Sequence, residues 1–304
     1  MNNTVSSLLS SNNEAITAFV NRDLLGKKVS TKFVEELPAV KRIINKQESD
    51  GRWVYPSKKP IQRGYDLYYT MKMVGELVQK YGLNKYCKSV KNAANYLFSN
   101  QTDEGDFRGI YGNQYSPNYS ATIMEFLIMA GFNVDKGLNW LLSVRQSDGG
   151  WAIPMRTRGV TNWVKAMSLK ESLGTDKSKR FSHFCTGVVL RPFSLVKKYH
   201  KEVDAAASLL VNSFFERDYY PDRNGVEYWT RFSFPYQWSD ILTGLDALSR
   251  MNIIKHPKIT RALKWFKSHQ LSNGLWKVKR IMGANDKDSD FWINLQIARV
   301  LKRF

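Results

Sequence analysis

Residues 228–240, YWTRFSFPYQWSD, carry six aromatic side chains and end on a carboxylate, Asp240. The faces of aromatic rings stabilise a developing positive charge, and a carboxyl beside them serves as a catalytic acid or an anchor. Trp229, Tyr236 and Trp238 from this stretch are therefore candidate walls of a binding cavity, with Arg231 beside them as a partner for an anionic group. A second carboxylate, Asp66, stands among Tyr65, Tyr68 and Tyr69, and His183 precedes Cys185 by two residues. Asp240, His183 and Asp66 are the candidate catalytic groups. Tyr65, Tyr69, Tyr119, Trp163, Arg191 and Trp292 complete the candidate binding set, with Lys165 as a further cation. Each residue also has a structural reading. Aromatics at helical spacing are usually packing, and a lone His or Cys on an apolar helix is usually a satisfied core residue.

The elements that must carry these residues follow from a repeat. QESDGRW at 47–53, QTDEGDF at 101–107, QSDGGW at 146–151 and QLSNGLW at 270–276 are versions of one motif, and a worn copy within residues 215–229 keeps Gly225 and its aromatics. A unit of roughly 50 residues is the size of one helical hairpin. Apolar residues upstream of each copy, such as Val90, Ala93, Ala94 and Leu97, fall on the period of a half-buried helix. Glycine then ends that helix, and a more apolar helix follows, as over residues 120–130, 239–251 and 291–301. One half-polar and one apolar helix per unit predicts outer and inner layers. The Trp or Phe after each Gly is expected to pack in the turn, with the Gln bonded to backbone groups at helix ends.

Gln, a few residues, Gly, any residue and Trp, repeated between outer and inner helices, resembles the QW repeat of squalene and hopene cyclases, which is related to the repeats of protein prenyltransferase β subunits. The resemblance runs from about residue 33 to the C-terminus. It implies an all-α, single-domain (α/α) toroid of about five or six hairpins over residues 1–304, inner helices surrounding a central cavity. It also implies that chemistry collects where inner helices begin, since aligned N-termini favour anions. The DxDD acid of proton-initiated cyclases is absent, as is the DDxxD that holds magnesium. The run 286–290, DKDSD, has another spacing and reads as a charged turn. FSHFC at 181–185 looks like the His-bearing zinc segment of the prenyltransferases, but no Asp-x-Cys accompanies it. Cys185, His183 and Asp240 are a substitute set with acceptable zinc-ligand chemistry and an open fourth position. Neither zinc nor magnesium is expected.

Lysine and arginine number 46 against 27 acidic residues, a formal charge of +19. Such an excess favours an anionic partner or forms a solvated face; its scattering, without a block of like charges, disfavours nucleic acid. Cys87 and Cys185 give no disulfide framework, and no long apolar stretch or signal-like N-terminus is present, so a cytoplasmic protein without a transmembrane segment is expected. Residues 1–31 read as one leading helix, over 5–20, and a connection. Residues 55–63, with two prolines, read as a loop, and residues 152–181 as an insertion or lid holding a short helix over 161–173. Three functions fit: binding or transforming an isoprenoid or other apolar small molecule, with or without a diphosphate; cleaving an acidic polysaccharide as a lyase or hydrolase; or holding a peptide, protein or lipid without catalysis. Oligomeric state is left open.

Overall fold

The computed structural model describes residues 2–57, 64–281 and 288–304. Most of the expected loop 55–63 and the first residues of the run 286–290 lie outside them. The described chain is mostly helical. Helix α1 (Asn2–Leu9) pairs with α2 (Glu14–Asp23). The short helices α3 (Thr31–Glu36) and α4 (Pro38–Ile44) precede α5 (Tyr65–Gly75), which continues as a π-helical turn over Glu76–Lys80. Next come α6 (Lys88–Ser99) and α7 (Pro117–Met129), then α8 (Asp135–Ser143). Two short helices, α9 (Pro154–Thr157) and α10 (Trp163–Met167), intervene before α11 (His183–Ser194). The chain ends with α12 (Asp204–Asn212), α13 (Ile241–Arg250), α14 (Pro257–Ser268) and α15 (Ser289–Leu301). The strands β1 (Arg231–Phe232) and β2 (Lys279–Arg280) pair in parallel, Arg231 opposite Lys279.

Burial separates the helices into two kinds. Every residue of α11 is buried, and α7 is buried from Pro117 to Leu127 except at Tyr119, so neighbours cover both helices on nearly all sides. In contrast, α14 buries only Ile259, Ala262 and Phe266, a single stripe of a helix with one face in water. The covered helices touch in succession: α5 packs on α7, α7 on α11, α11 on α13, α13 on α15, and α15 on α2.

The repeat turns share one construction. The indole N–H of Trp53 donates to Ile43 O (2.7 Å), that of Trp151 to Leu141 O (2.7 Å) and that of Trp276 to Phe266 O (2.8 Å). Each indole thus supplies a donor to a carbonyl at the C-terminal part of the helix before it. The backbone N–H of the same residues donates to the next covered helix, to Thr70 Oγ1, Thr186 Oγ1 and Asn294 Oδ1 respectively. Gln47, Gln101 and Gln270 each donate Nε2 to the carbonyl of the turn glycine, at 2.8–2.9 Å. That glycine has a second duty. At Gly105, φ is +113° and an added Cβ would come within 2.6 Å of Lys136 O, so the turn lies directly on the following outer helix, α8. Gly274 makes the same approach to α1, where a Cβ would stand 2.5 Å from Thr4 N.

Two expectations are corrected in detail. Residues 5–20 are not one helix: Asn12 takes φ +55°, and Asn13 caps α2 by accepting from Ile16 N (3.1 Å). A polar SSNN run with a capping side chain ends one helix and starts another. The helix expected over 161–173 is confined to Trp163–Met167, capped by Asn162. Its continuation is instead bound to a neighbouring loop: Gln114 Nε2 donates to Glu171 O (2.8 Å), and Leu173 N donates back to Gln114 Oε1 (2.8 Å). Among the described residues, no helix is long and apolar enough to cross a membrane.

Candidate functional site: a tyrosine-lined cleft

The first turns of α5 and α7 stand side by side, and the loop before α7 folds over them. Tyr65 and Tyr68 come from α5, Tyr119 from α7 and Tyr111 from the loop; together they line a cleft of about 1070 Å³. Tyr111 meets Tyr119 edge-on (centroids 5.1 Å apart), and Tyr119 meets Tyr68 edge-on (5.8 Å), the arrangement ring quadrupoles prefer. The facing wall is residues 164–170, the segment after the start of α10, which contributes Val164, Met167 and Leu169. This is the stretch the sequence offers as a lid.

The phenols and the guanidinium of the cleft are each held in one charge state near neutral pH. Burial pushes the Tyr111 phenol up to about 12 and carries Tyr119 well above its ordinary value, so both hydroxyls stay neutral donors at neutral pH. Burial opposes the charge of Arg108 at the cleft edge, but Asp106 and Glu104, each 3.0 Å away, outweigh it and hold the guanidinium charged. Among the described residues, no Asp, Glu, His or Cys lines the cleft. Beside it, Arg223 lies 3.7 Å over the Trp238 ring and Arg156 lies 4.3 Å over Trp163, whose ring is 5.0 Å from Tyr111. Asp222 pairs with Arg156 (2.6 Å), whereas Arg223 forms no ion pair among the described residues and has the rings of Tyr228 and Trp238 beside it.

The three candidate catalytic groups stand elsewhere. Asp240 is the N-cap of α13: its Oδ1 accepts from Thr243 N (2.8 Å), and Thr243 Oγ1 accepts from Asp240 N (2.9 Å). It is 1% exposed, and burial pushes its carboxyl up to about 7, with Oδ2 unpartnered. His183 stacks on Trp229 (4.6 Å) with Nε2 3.6 Å from Asp218, and burial pulls its pKa down. Asp66 accepts from Tyr55 N (3.0 Å), tying a loop to the start of α5. The substitute zinc set is not assembled. His183 belongs to Asp218, Asp240 caps a helix, and Cys185 is a buried thiol raised well above its usual pKa; no metal-holding group of three such side chains occurs among the described residues.

The aromatic stretch divides as well. Trp229, Tyr236 and Trp292 are almost wholly buried: Trp229 donates to Glu216 O (2.8 Å), and Trp292 packs on Phe19 and Tyr81 at 5.6 Å each. Tyr69 packs edge-on against Tyr55, and Arg231 lies 5.0 Å over Tyr228. Of the candidate binding residues, Tyr65 and Tyr119 line the cleft itself, and Trp163 and Trp238 stand by it. Arg191 belongs to a buried polar network: it lies 2.9 Å from Glu125 and donates to Trp238 O (3.1 Å). Gln79 donates to Glu125 (3.1 Å) and accepts from Tyr236 N (2.5 Å), Gln296 donates to the Tyr236 hydroxyl (2.6 Å), and Arg299 donates to Gln296 (3.1 Å). Tyr111, Arg108 and Arg223 were not among the sequence candidates, although the tyrosine-rich loop 111–119 carried the signal for the first.

No family model matches the chain, and no curated protein does. A solved structure, described as the crystal structure of a protein from Actinoplanes, is similar over 99% of this chain and 97% of that one, at 14% identity and a TM-score of 0.47.

Proposed function

We propose that the helices close into an (α/α) toroid of six hairpins, and that the tyrosine-lined cleft at the N-terminal ends of its inner helices binds an elongated apolar molecule of isoprenoid type. Closure is supported by the approach of the last repeat turn to α1 and by the packing of α15 on α2, which make the N-terminal pair the sixth hairpin. The observation that carries the binding reading is the lining of the cleft: four tyrosines and the apolar residues of 164–169, with Arg108 and Lys170 as its cations and, among the described residues, no carboxylate, His or Cys. Rings and aliphatic side chains remove hydrocarbon from water, while the neutral phenols orient a polar end. Arg223, flanked by rings and without an ion pair among the described residues, supplies the charge for an anionic tip. The lack of an acid in the cleft favours binding over cyclisation, so the likeness to cyclases is carried as a likeness of architecture.

Titration of tryptophan fluorescence with farnesol and with farnesyl diphosphate tests this. At about 0.3 kcal/mol per non-hydrogen atom, farnesol gains about 5 kcal/mol, a sub-millimolar Kd. Saturable quenching is expected with both, weakened by Tyr119→Ala and Tyr68→Ala, and Arg223→Gln is expected to weaken only the diphosphate. Failure of both ligands, with binding of a uronic-acid oligosaccharide, would replace this reading by the glycan one.

A further inference from the structure

A second hollow, of about 510 Å³, lies at the other end of α7, where Glu125 and Met129 line it, and shares no lining residue with the tyrosine cleft. Its cations come from final turns: Arg22 of α2, Arg191 of α11, Arg250 of α13 and Arg299 of α15, joined by Lys302 and Arg303 just beyond α15. Against these six stand three carboxyls, Asp23, Glu125 and Asp246.

The carboxylates are spread thin. Asp23 is divided between Arg22 (2.6 Å) and Arg299 (2.5 Å), and Asp246 between Arg250 (3.3 Å) and Arg303. Glu125 pairs with Arg191, and burial pushes it up to about 7, so near neutrality it carries less than a full charge. Among the described residues, Lys302 donates to the carbonyls of Asp23 and Leu24 (3.1 and 3.3 Å) and to no carboxylate. Cations at helix C-termini complement the helix dipoles, which explains their presence in the last turns but not their convergence on one hollow. Arg191 is 3% exposed, and among the described residues neither its Nε nor that of Arg299 has a hydrogen-bond partner. Buried donors of charged groups are ordinarily satisfied, and here two guanidinium Nε atoms are not, although Glu125 Oε2, 2.9 Å from Arg191 Nη2, is left without a hydrogen bond as well.

We propose that this hollow binds a compact oxyanion carrying two or more negative charges, of phosphate or carboxylate type. Such an anion brings several acceptor oxygens on one small body, matching forked guanidinium donors on α11, α13 and α15. The site is independent of the reading given to the tyrosine cleft.

Calorimetric titration at low salt with pyrophosphate and, separately, with citrate tests the proposal, with thermal unfolding alongside. One-to-one binding of at least one of them with a sub-millimolar Kd and a saturable rise in Tm is expected; preference between the two tells phosphate from carboxylate recognition. Arg250→Gln and Lys302→Gln, both at exposed positions, are each expected to weaken binding about tenfold with unchanged circular dichroism. Lys277→Gln, an exposed lysine outside the hollow, removes the same charge and is expected to leave the affinity within about twofold. The proposal is overturned if neither anion binds, if Arg250→Gln and Lys302→Gln both bind as well as the parent, or if Lys277→Gln weakens binding equally, which would reveal only the attraction of a basic surface.

Discussion

Thr4 Oγ1 donates a 2.8 Å hydrogen bond to the carbonyl of Gly274, across 270 residues of chain. Gln270 Nε2 donates to both ends of that contact, to Thr4 Oγ1 (3.3 Å) and to Gly274 O (2.8 Å), and Thr4 is 1% exposed. The first helix thereby holds the last repeat turn. Thr4→Val keeps the shape and removes the hydroxyl, so it is expected to cost about 1–2 kcal/mol in urea unfolding. A cost below about 0.3 kcal/mol would mean that the docking of α1 rests on packing alone.

Asp240 caps α13 with one oxygen while the other lacks a partner, so its substitutions separate capping from charge. Asp240→Ala loses the capping box and is expected to cost about 1–2 kcal/mol, whereas Asp240→Asn retains a good cap and costs less. Equal losses in chemical denaturation would show that the carboxylate charge, rather than the cap, matters.

Burial pushes both Glu125 and Asp240 up to about 7, from an unfolded value near 4. The folded state holds these protons more tightly than the unfolded chain. Their contribution to stability is therefore full below about pH 4 and is lost as pH rises to about 7. Asp23 acts in the opposite sense: although burial opposes it, Arg22 and Arg299 hold it low, and its contribution fades as pH falls below about 4. Stability measured in urea is expected to decline between pH 4 and 7, and Glu125→Gln, which mimics the protonated form, is expected to flatten the decline. An unaltered slope in that variant would remove Glu125 as a cause.

Gly105 and Gly225 occupy matching places in two copies of the repeat but differ in backbone. Gly105→Ala forces a Cβ to within 2.6 Å of Lys136 O at φ +113°, and is expected to cost about 2 kcal/mol or more. Gly225 has φ −69°, and the nearest atoms to its added Cβ belong to the carboxylate end of Glu227, which can swing away. Gly225→Ala is expected to stay within about 0.5 kcal/mol of the parent. Comparable Tm losses in the two variants would contradict the distinction.

These contrasts mark where the sequence was readable. Gln47, Gln101 and Gln270 act within their own turns, and Trp53, Trp151 and Trp276 reach one turn of helix and its neighbour, so a short motif encodes them. The aromatic stretch 228–240 was harder to assign. Composition alone does not tell Tyr236, turned into a buried network, from Trp238, lying under Arg223. The charged hollow left almost no local trace, because its residues arrive singly from separate helices. Its one signal is positional: Arg22, Arg191, Arg250 and Arg299 each fall in a final turn. Tyr111 and Arg223 reach the cleft region from loops, whose paths helical periodicity does not describe.

The amide of Tyr236 donates to a side chain, Gln79 Oε1, rather than to the backbone of any helix or strand. Its protection from solvent exchange thus depends on Gln79 and on the packing that buries the loop. In a hydrogen–deuterium experiment this one amide becomes a gauge of the molecular interior: it exchanges when the Gln79–Glu125–Arg191 network parts, even while the surrounding helices stay closed.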